Sequence, residues 1–207
     1  MALFADRSHA GRELAGSLAA WRSQDAVVAG IARGGVAVAA AVADALALPL
    51  TAVAVRKLGV PGREELALGA IAAGVRIVDE RALRATRTSA RELDRVEKRE
   101  RERLARRHAL LDTDAPTVGG RAVLLVDDGI ATGATANAAA RALRRDGASR
   151  IVLAVPVAPT GWTPEPDAVD EYVCPHPMDD FWAVGRFYDD FTQTSDDDVI
   201  ALLARGR

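Results

Sequence analysis

Residues Val123 to Thr135 read VLLVDDGIATGAT, a run that few architectures accommodate. Ala122 to Val126 is apolar and too short for an amphipathic helix, so it reads as a buried strand. The strand runs directly into Asp127-Asp128 and a Gly/Thr turn. A helix then spans about Ala134 to Asp146 and closes at Gly147, and a further strand is expected at Ile151 to Val155. Strand, acidic turn, helix and strand in this order call for a parallel pair with a helical crossover.

The first third of the chain repeats that grammar. Ser8 to Trp21, with Leu14 and Leu18 at helical spacing, opens as an amphipathic helix. Val27 to Ile31 is a β-branched run ending in Ala32-Arg33-Gly34-Gly35. A helix of small residues from about Val36 to Leu46 and a strand from Leu50 to Val55 complete a βαβ unit. Arg56 to Glu65, RKLGVPGREE, places charges on both sides of a Gly-Val-Pro-Gly centre and predicts an exposed, mobile loop. Ala67 to Ile71 and Val75 to Val78 predict a hairpin-like pair through Ala72-Ala73-Gly74. A charged helix follows from about Thr88 to Leu111, its apolar stripe limited to Leu93, Val96, Leu104 and Leu111. Ser195 and Asp198 form a capping pattern before a short terminal helix, Asp196 to Ala204. The expected fold is α/β, an open and mainly parallel sheet flanked by helices with a small hood or lid.

Charge and aromatic residues sort along the chain. Arg76 to Arg107 holds 12 Lys/Arg against 7 Asp/Glu, whereas Thr160 to Ile200 holds 11 Asp/Glu against Arg186 alone. Seven of the nine aromatic residues lie in that acidic tail. The 207 residues therefore read as a single domain with a core at about 24–158 and an acidic, aromatic hood at about 160–207. One cysteine, Cys174, excludes an internal disulfide framework. Val36 to Ala43, the longest apolar stretch, is far short of the roughly 20 residues that cross a bilayer. Asp6, Arg7, Arg12 and Glu13 break up any secretory leader, so a cytoplasmic protein without a membrane partner is expected.

Strands in open α/β sheets present ligands at their carboxyl ends, where Asp127 and Asp128 fall. Thr132, Gly133 and Thr135 sit where the turn opens into a helix. Backbone N–H groups at a helix start, helped by hydroxyls and the positive end of the dipole, suit a phosphate. Two carboxylates beside such a cradle fit a sugar phosphate, the acids taking the diol and the turn taking the phosphate.

Four apolar residues, two acids, three spacers and Thr-Gly-x-Thr resemble the phosphoribosyl-pyrophosphate signature of the type I phosphoribosyltransferases. Ala32-Arg33-Gly34-Gly35 looks like that family's pyrophosphate loop, a tight turn, often with a non-proline cis peptide, that aims N–H groups at the leaving group. The Arg56 to Glu65 segment is similar in position to its flexible catalytic loop, with Arg56 and Lys57 matching the basic residue that reaches the pyrophosphate. The matches cover roughly residues 27 to 155. The resemblance implies Mg²⁺-dependent transfer of 5-phosphoribose from phosphoribosyl pyrophosphate to a nitrogen acceptor, a nucleobase-like heterocycle, in nucleotide or nucleoside metabolism.

The roles it implies are these. Asp127 and Asp128 bind the ribose diol, with Mg²⁺ carried by the substrate and these acids as the protein-side candidates. Ile130, Ala131, Thr132, Gly133, Ala134 and Thr135 hold the 5′-phosphate. Ala32, Arg33, Gly34 and Gly35, with Arg56 or Lys57, hold the pyrophosphate, so the residues expected to act in catalysis are Asp127, Asp128, Arg33 and Lys57. The family's oxopurine enzymes can carry a third carboxylate beside the Thr-Gly pair; Ala131 stands there, a pattern more like the aminopurine members.

Plainer readings bound these roles. The tail aromatics are expected to pack as a core, with Phe181, Trp182, Phe187 and Tyr188 the candidates if one stacks on a base. His9, His108 and His176 lack metal-ligand spacing, and Cys174-Pro175-His176 is too sparse for zinc. The Arg87 to Arg107 helix reads as a solvated face laced with Glu–Arg pairs, not a nucleic-acid surface. No Walker A, Gly-x-Ser-x-Gly or Gly-x-Gly-x-x-Gly pattern occurs. A regulatory module that senses phosphoribosyl pyrophosphate or a nucleotide without catalysis is the alternative. The acceptor, the pathway and the oligomeric state, a homodimer among the options, are not given by the sequence.

Overall fold

The structure is a computed structural model that describes residues 2–111 and 116–205. Its elements are α1 (Arg7–Ser17), β1 (Ala26–Ala32), α2 (Gly34–Leu46), β2 (Leu50–Val60), β3 (Arg63–Ala72), β4 (Val75–Val78), α3 (Glu80–Thr86), α4 (Ala90–Leu111), β5 (Ala122–Val126), α5 (Ala134–Arg145), β6 (Arg150–Ala154), β7 (Val157–Pro159), β8 (Glu171–Val173), β9 (His176–Met178) and α6 (Asp196–Arg205). A seven-stranded sheet runs β4-β3-β2-β1-β5-β6-β8. From β2 to β8 its neighbours are parallel, and β3 and β4 add an antiparallel edge. The expected α/β architecture is present.

The apolar strand runs are explained by burial on both faces of the sheet. Along β5, Leu124 and Val126 enter one core with α1, α2, α4 and α6, while Val123 and Leu125 enter a second core under α5. Successive strand side chains point to opposite faces, so each residue of a doubly covered strand must be apolar. Burial of one such leucine is worth about 1.5–3 kcal/mol. Ala136, Ala138, Ala139 and Ala140 of α5 bring that helix close to the strands.

Three departures from expectation bear on the site. Arg56 to Glu65 is not a loop: β2 and β3 form a hairpin that turns at Pro61-Gly62, with register shifts around Gly59. Leu58, Val60 and Leu68 bury their side chains in the α4-side core, which holds the hairpin down where the charge pattern predicts a free-standing loop. Second, α3 precedes the long helix; the Asp79 carboxylate caps it by accepting from Arg81 N at 2.8 Å and Ala82 N at 3.0 Å. Third, β8 pairs with β6 in the main sheet, so the sheet continues past the core boundary expected near 158. The terminal helix is capped as its sequence suggests, Ser195 Oγ accepting from Asp198 N at 3.0 Å.

Candidate active site

Parallel register brings the sequence-predicted segments together. Gly30 of β1 lies opposite Val126 of β5, and Ala32 of β1 opposite Ala54 of β2, so β1 and β5 end, and β2 leaves its pairing with β1, at the same end of the parallel strands. Asp127 and Asp128, the Ala32–Gly35 turn and Arg56 therefore meet within a few residues of those ends. The Ala32–Arg33 peptide is cis. Gly34 opens α2 directly against the acid pair; a Cβ there would collide with Asp128 Oδ2, so a side chain at this position would displace the carboxylate.

The acid pair is half-buried and short of positive charge. Asp127 Oδ1 accepts from the Asp128 backbone N–H at 2.9 Å. Burial, then the neighbouring Asp128 charge, pushes the Asp127 carboxyl well above the ordinary carboxylate range. Burial raises Asp128 too, opposed by Arg7, whose Nε donates to Asp128 Oδ2 at 2.9 Å. Such a pair is suited to accepting hydroxyl hydrogens or to facing a cation carried in by a ligand.

Arg7 was not among the sequence candidates. It begins α1, reaches Asp128, donates through Nη1 to Thr192 O at 2.8 Å, and lies 3.9 Å over the Phe191 ring. Tyr188 adds a second strap, its hydroxyl donating to Asp128 O at 2.6 Å. Its phenol is pushed up by burial and by Asp128. Nothing in the sequence links residue 7 to residue 128, because the contact is made only once α1 packs beside the end of β5, 121 positions away.

The turn after the acids divides by role. Ile130 buries its side chain and donates its N–H to Val157 O at 3.1 Å, so among the turn residues it supports the loop and offers no free donor. Ala131 and Thr132 are exposed, and Gly133, at φ +81°, caps α5. The first N–H groups of α5 have no acceptor within the helix. Trp162 was also overlooked: its Nε1 donates to Thr132 O at 3.4 Å, and a Cβ on Gly133 would lie 2.3 Å from its ring. The indole thus backs the turn from behind.

The two basic candidates on β2 part company. Alternate strand residues face opposite ways. Arg56 faces α4, its Nε 2.9 Å and Nη2 2.8 Å from Glu100 Oε2. Lys57 Nζ instead donates to Glu65 O across the hairpin at 3.1 Å. Of the aromatic candidates, Phe187 and Tyr188 are buried in a cluster with Phe4, Phe181 packs on Phe187 with ring centroids 5.2 Å apart, and Trp182 is 75 % exposed. Part of the charge on α4 is paired, Glu97 with Arg76 of β4 and Arg101 of the helix, and Glu100 with Arg56 of β2 and Arg99 and Arg103 of the helix. Among the described residues no group of three or more His, Cys, Asp or Glu could hold a metal unaided, and no helix is long and apolar enough to cross a membrane.

The phosphoribosyl transferase domain model matches residues 6–192 of this sequence. The chain belongs to that family. Two Mycobacterium tuberculosis proteins (strains CDC 1551 and H37Rv), provisionally named phosphoribosyl transferases, are 46% identical to it over 209 aligned residues, 99% of this chain. The chain spans about half (47%) of the length of these curated relatives. Among solved structures, TT1426 of Thermus thermophilus is 40% identical, covers 98% of both chains and superposes with a TM-score of 0.75. A Neisseria gonorrhoeae protein crystallised with ppGpp shares the fold at 18% identity and a TM-score of 0.52, covering 97% of this chain and 93% of that one.

Proposed function

We propose that this phosphoribosyltransferase-family chain transfers 5-phosphoribose from phosphoribosyl pyrophosphate to a nitrogen acceptor, a nucleobase-like heterocycle, and releases pyrophosphate. The observation that carries the reading is the convergence, at one sheet edge, of an anionic pair with two helix starts. Asp127 and Asp128 take the ribose diol. The turn from Ala131 to Thr135 and the first N–H groups of α5 take the 5′-phosphate, with Trp162 behind them. Gly34 and Gly35 at the start of α2, with Arg33, take the pyrophosphate. Arg56 is the better match than Lys57 for the basic residue at that end, since Arg56 and Arg33 both lie near Arg107 of α4, whereas Lys57 points the other way, toward Glu65.

In the reaction the bond from ribose C1 to the pyrophosphate oxygen breaks, the acceptor nitrogen bonds to C1, and that nitrogen gives up its proton. Negative charge grows on the departing oxygen, and donors fixed beforehand around it lower the barrier. With Ala131 in the turn, this chain offers no carboxylate there to receive the proton. Mg²⁺ fits this site as a substrate-borne ion: two adjacent carboxylates, poorly compensated, can complete a coordination sphere built on diphosphate and water. When bound, it would neutralise charge on the leaving group. The single, half-buried thiol of Cys174 suits a reducing cytoplasm.

The test is pyrophosphate release from phosphoribosyl pyrophosphate with Mg²⁺ against purines, pyrimidines and other nitrogen heterocycles. Turnover with one acceptor is expected. Saturable binding of phosphoribosyl pyrophosphate without turnover on any acceptor would instead make the chain a sensing module.

A further inference from the structure

The mouth of the diphosphate site carries a cation that none of the site motifs supplies. Arg107, on the last turns of α4, places Nη2 3.3 Å from Asp196 Oδ1, and Arg33 Nη1 lies 3.7 Å from the same oxygen. One carboxylate is therefore bracketed by two guanidinium groups, one from the turn before α2 and one from α4. Arg56 stands close by: burial lowers the Arg107 pKa, Asp196 opposes that, and the charges of Arg56 and Arg33 add to the lowering. Three arginines from three elements thus crowd a space beside the start of α2.

Their counterions differ in kind. Glu100, the partner of Arg56, is 4 % exposed and is also bonded by Arg99 at 3.1 Å and Arg103 at 2.8 Å, so it is locked in place. Asp196 is 45 % exposed and stands in the first turn of α6. That helix is anchored three residues on by Val199, which is fully buried in the α4-side core. Asp198 serves the cap, bonded to Ser195. Asp196 alone of these acids bridges Arg33 and Arg107, and a change of its rotamer frees both without moving α6.

We infer that Arg107 is a third arginine of the diphosphate subsite and that Asp196 is its exchangeable counterion, a carboxylate standing where a phosphoryl group of the ligand binds. The inference rests on the reading of this edge as a phosphoribosyl-pyrophosphate site and adds to it a residue from α4 and a competitor from α6. A diphosphate brings more charge and more acceptor oxygens than one carboxylate, so it displaces Asp196 and gains paired contacts with planar guanidinium groups. Ligand-free protein keeps its arginines neutralised at the cost of some affinity.

Calorimetric titration of the full chain separates the possibilities, using inorganic pyrophosphate with Mg²⁺ as one probe and ribose 5-phosphate as the other. Arg107→Ala is expected to weaken pyrophosphate binding about tenfold or more and to leave ribose 5-phosphate unchanged, with Arg107→Lys recovering part of the loss. Asp196→Asn is expected to tighten pyrophosphate about threefold to fivefold, the scale of an exposed ion pair removed from competition. Equal pyrophosphate affinity in Arg107→Ala and the parent overturns the inference, as does equal loss for both probes with a lowered melting temperature. Unchanged or weaker pyrophosphate binding in Asp196→Asn overturns it also. A parent that binds ribose 5-phosphate but no pyrophosphate removes the subsite itself, and a parent that binds neither removes the reading on which it rests.

Discussion

Glu100 and Asp128 are both acids withdrawn from solvent and held by arginine, yet they sit on opposite sides of charge balance. Glu100 lies in the apolar stripe of α4 with Arg56, Arg99 and Arg103 around it. Burial opposes its ionisation, but the bonds and charge of Arg56, helped by Arg99 and Arg103, outweigh that and hold its carboxyl below the usual range. Among the described residues Asp128 has one guanidinium, that of Arg7, and a second half-buried carboxylate beside it; its carboxyl is raised. One site is saturated with cations and fixes the hairpin to α4. The other lacks positive charge, and a ligand carrying hydroxyls or a divalent ion can supply what the protein withholds.

The largest effect should follow from removing the deficient pair. Asp127→Asn with Asp128→Asn is expected to cut transfer on the order of 10³-fold or more, with the circular dichroism of the parent retained. Full activity would exclude the acid pair from ribose binding. At the saturated site the consequence falls on stability instead. Glu100→Gln leaves three guanidinium groups around a neutral amide and should cost about 3 kcal/mol, the lower end for a broken buried pair because Arg99 and Arg103 are close to half exposed. A melting temperature lower by roughly 5 to 10 °C is the expected readout, and an unchanged one would mean that the hairpin is held by Leu58, Val60 and Leu68 alone.

Arg7 tests the link between the two arrangements, since among the described residues it is the cation paired with the acids and it also holds the hood at Thr192 and Phe191. Arg7→Met is expected to lower kcat/KM about 10- to 100-fold, the scale of a displaced positioning group. It also removes the influence that keeps Asp128 from rising further. The acidic limb of the pH–rate profile should therefore move to higher pH; a limb that stays in place would assign Arg7 to hood packing only.

How much of this was legible follows from where the information resides. The Val123 to Thr135 run carries its own strand, acids, turn and helix start, and adjacent parallel strands bring the Ala32–Gly35 turn to the same end, so local pattern sufficed for the fold and for the meeting of these segments. The Arg56 to Glu65 hairpin has the charges and Gly-Val-Pro-Gly centre of a loop, whereas its order comes from Leu58, Val60 and Leu68 packing against distant α4. The short α3 does have a local signal, the capping Asp79 before Glu80 at the chain's turn from β4. Arg7, Trp162 and Arg107 left none. Each is an ordinary residue in sequence and acquires a role only through contacts across 121, 30 and 89 positions with Asp128, Thr132 and Asp196.

The smallest effect is a gain, and it sharpens the contrast between the acids most directly. An unfolded aspartate titrates at about 3.9, while folding raises Asp127 well above that through burial and the Asp128 charge. Between the two values the folded chain holds more protons than the unfolded one, so ionisation of Asp127 lowers stability as pH rises through that window and the full penalty persists above it. Asp127→Asn keeps an oxygen for the Asp128 N–H and carries no charge. It should match the parent near pH 4 and exceed it at pH 8 by about 1 to 2 kcal/mol, a few degrees in Tm. The corresponding Glu100→Gln comparison should run the other way, since a carboxyl held below its ordinary range contributes stability that is present at neutral pH and lost on acidification. Parallel pH profiles in the two variants would erase the distinction between a cation-rich acid that holds the fold and a cation-poor pair that works against it.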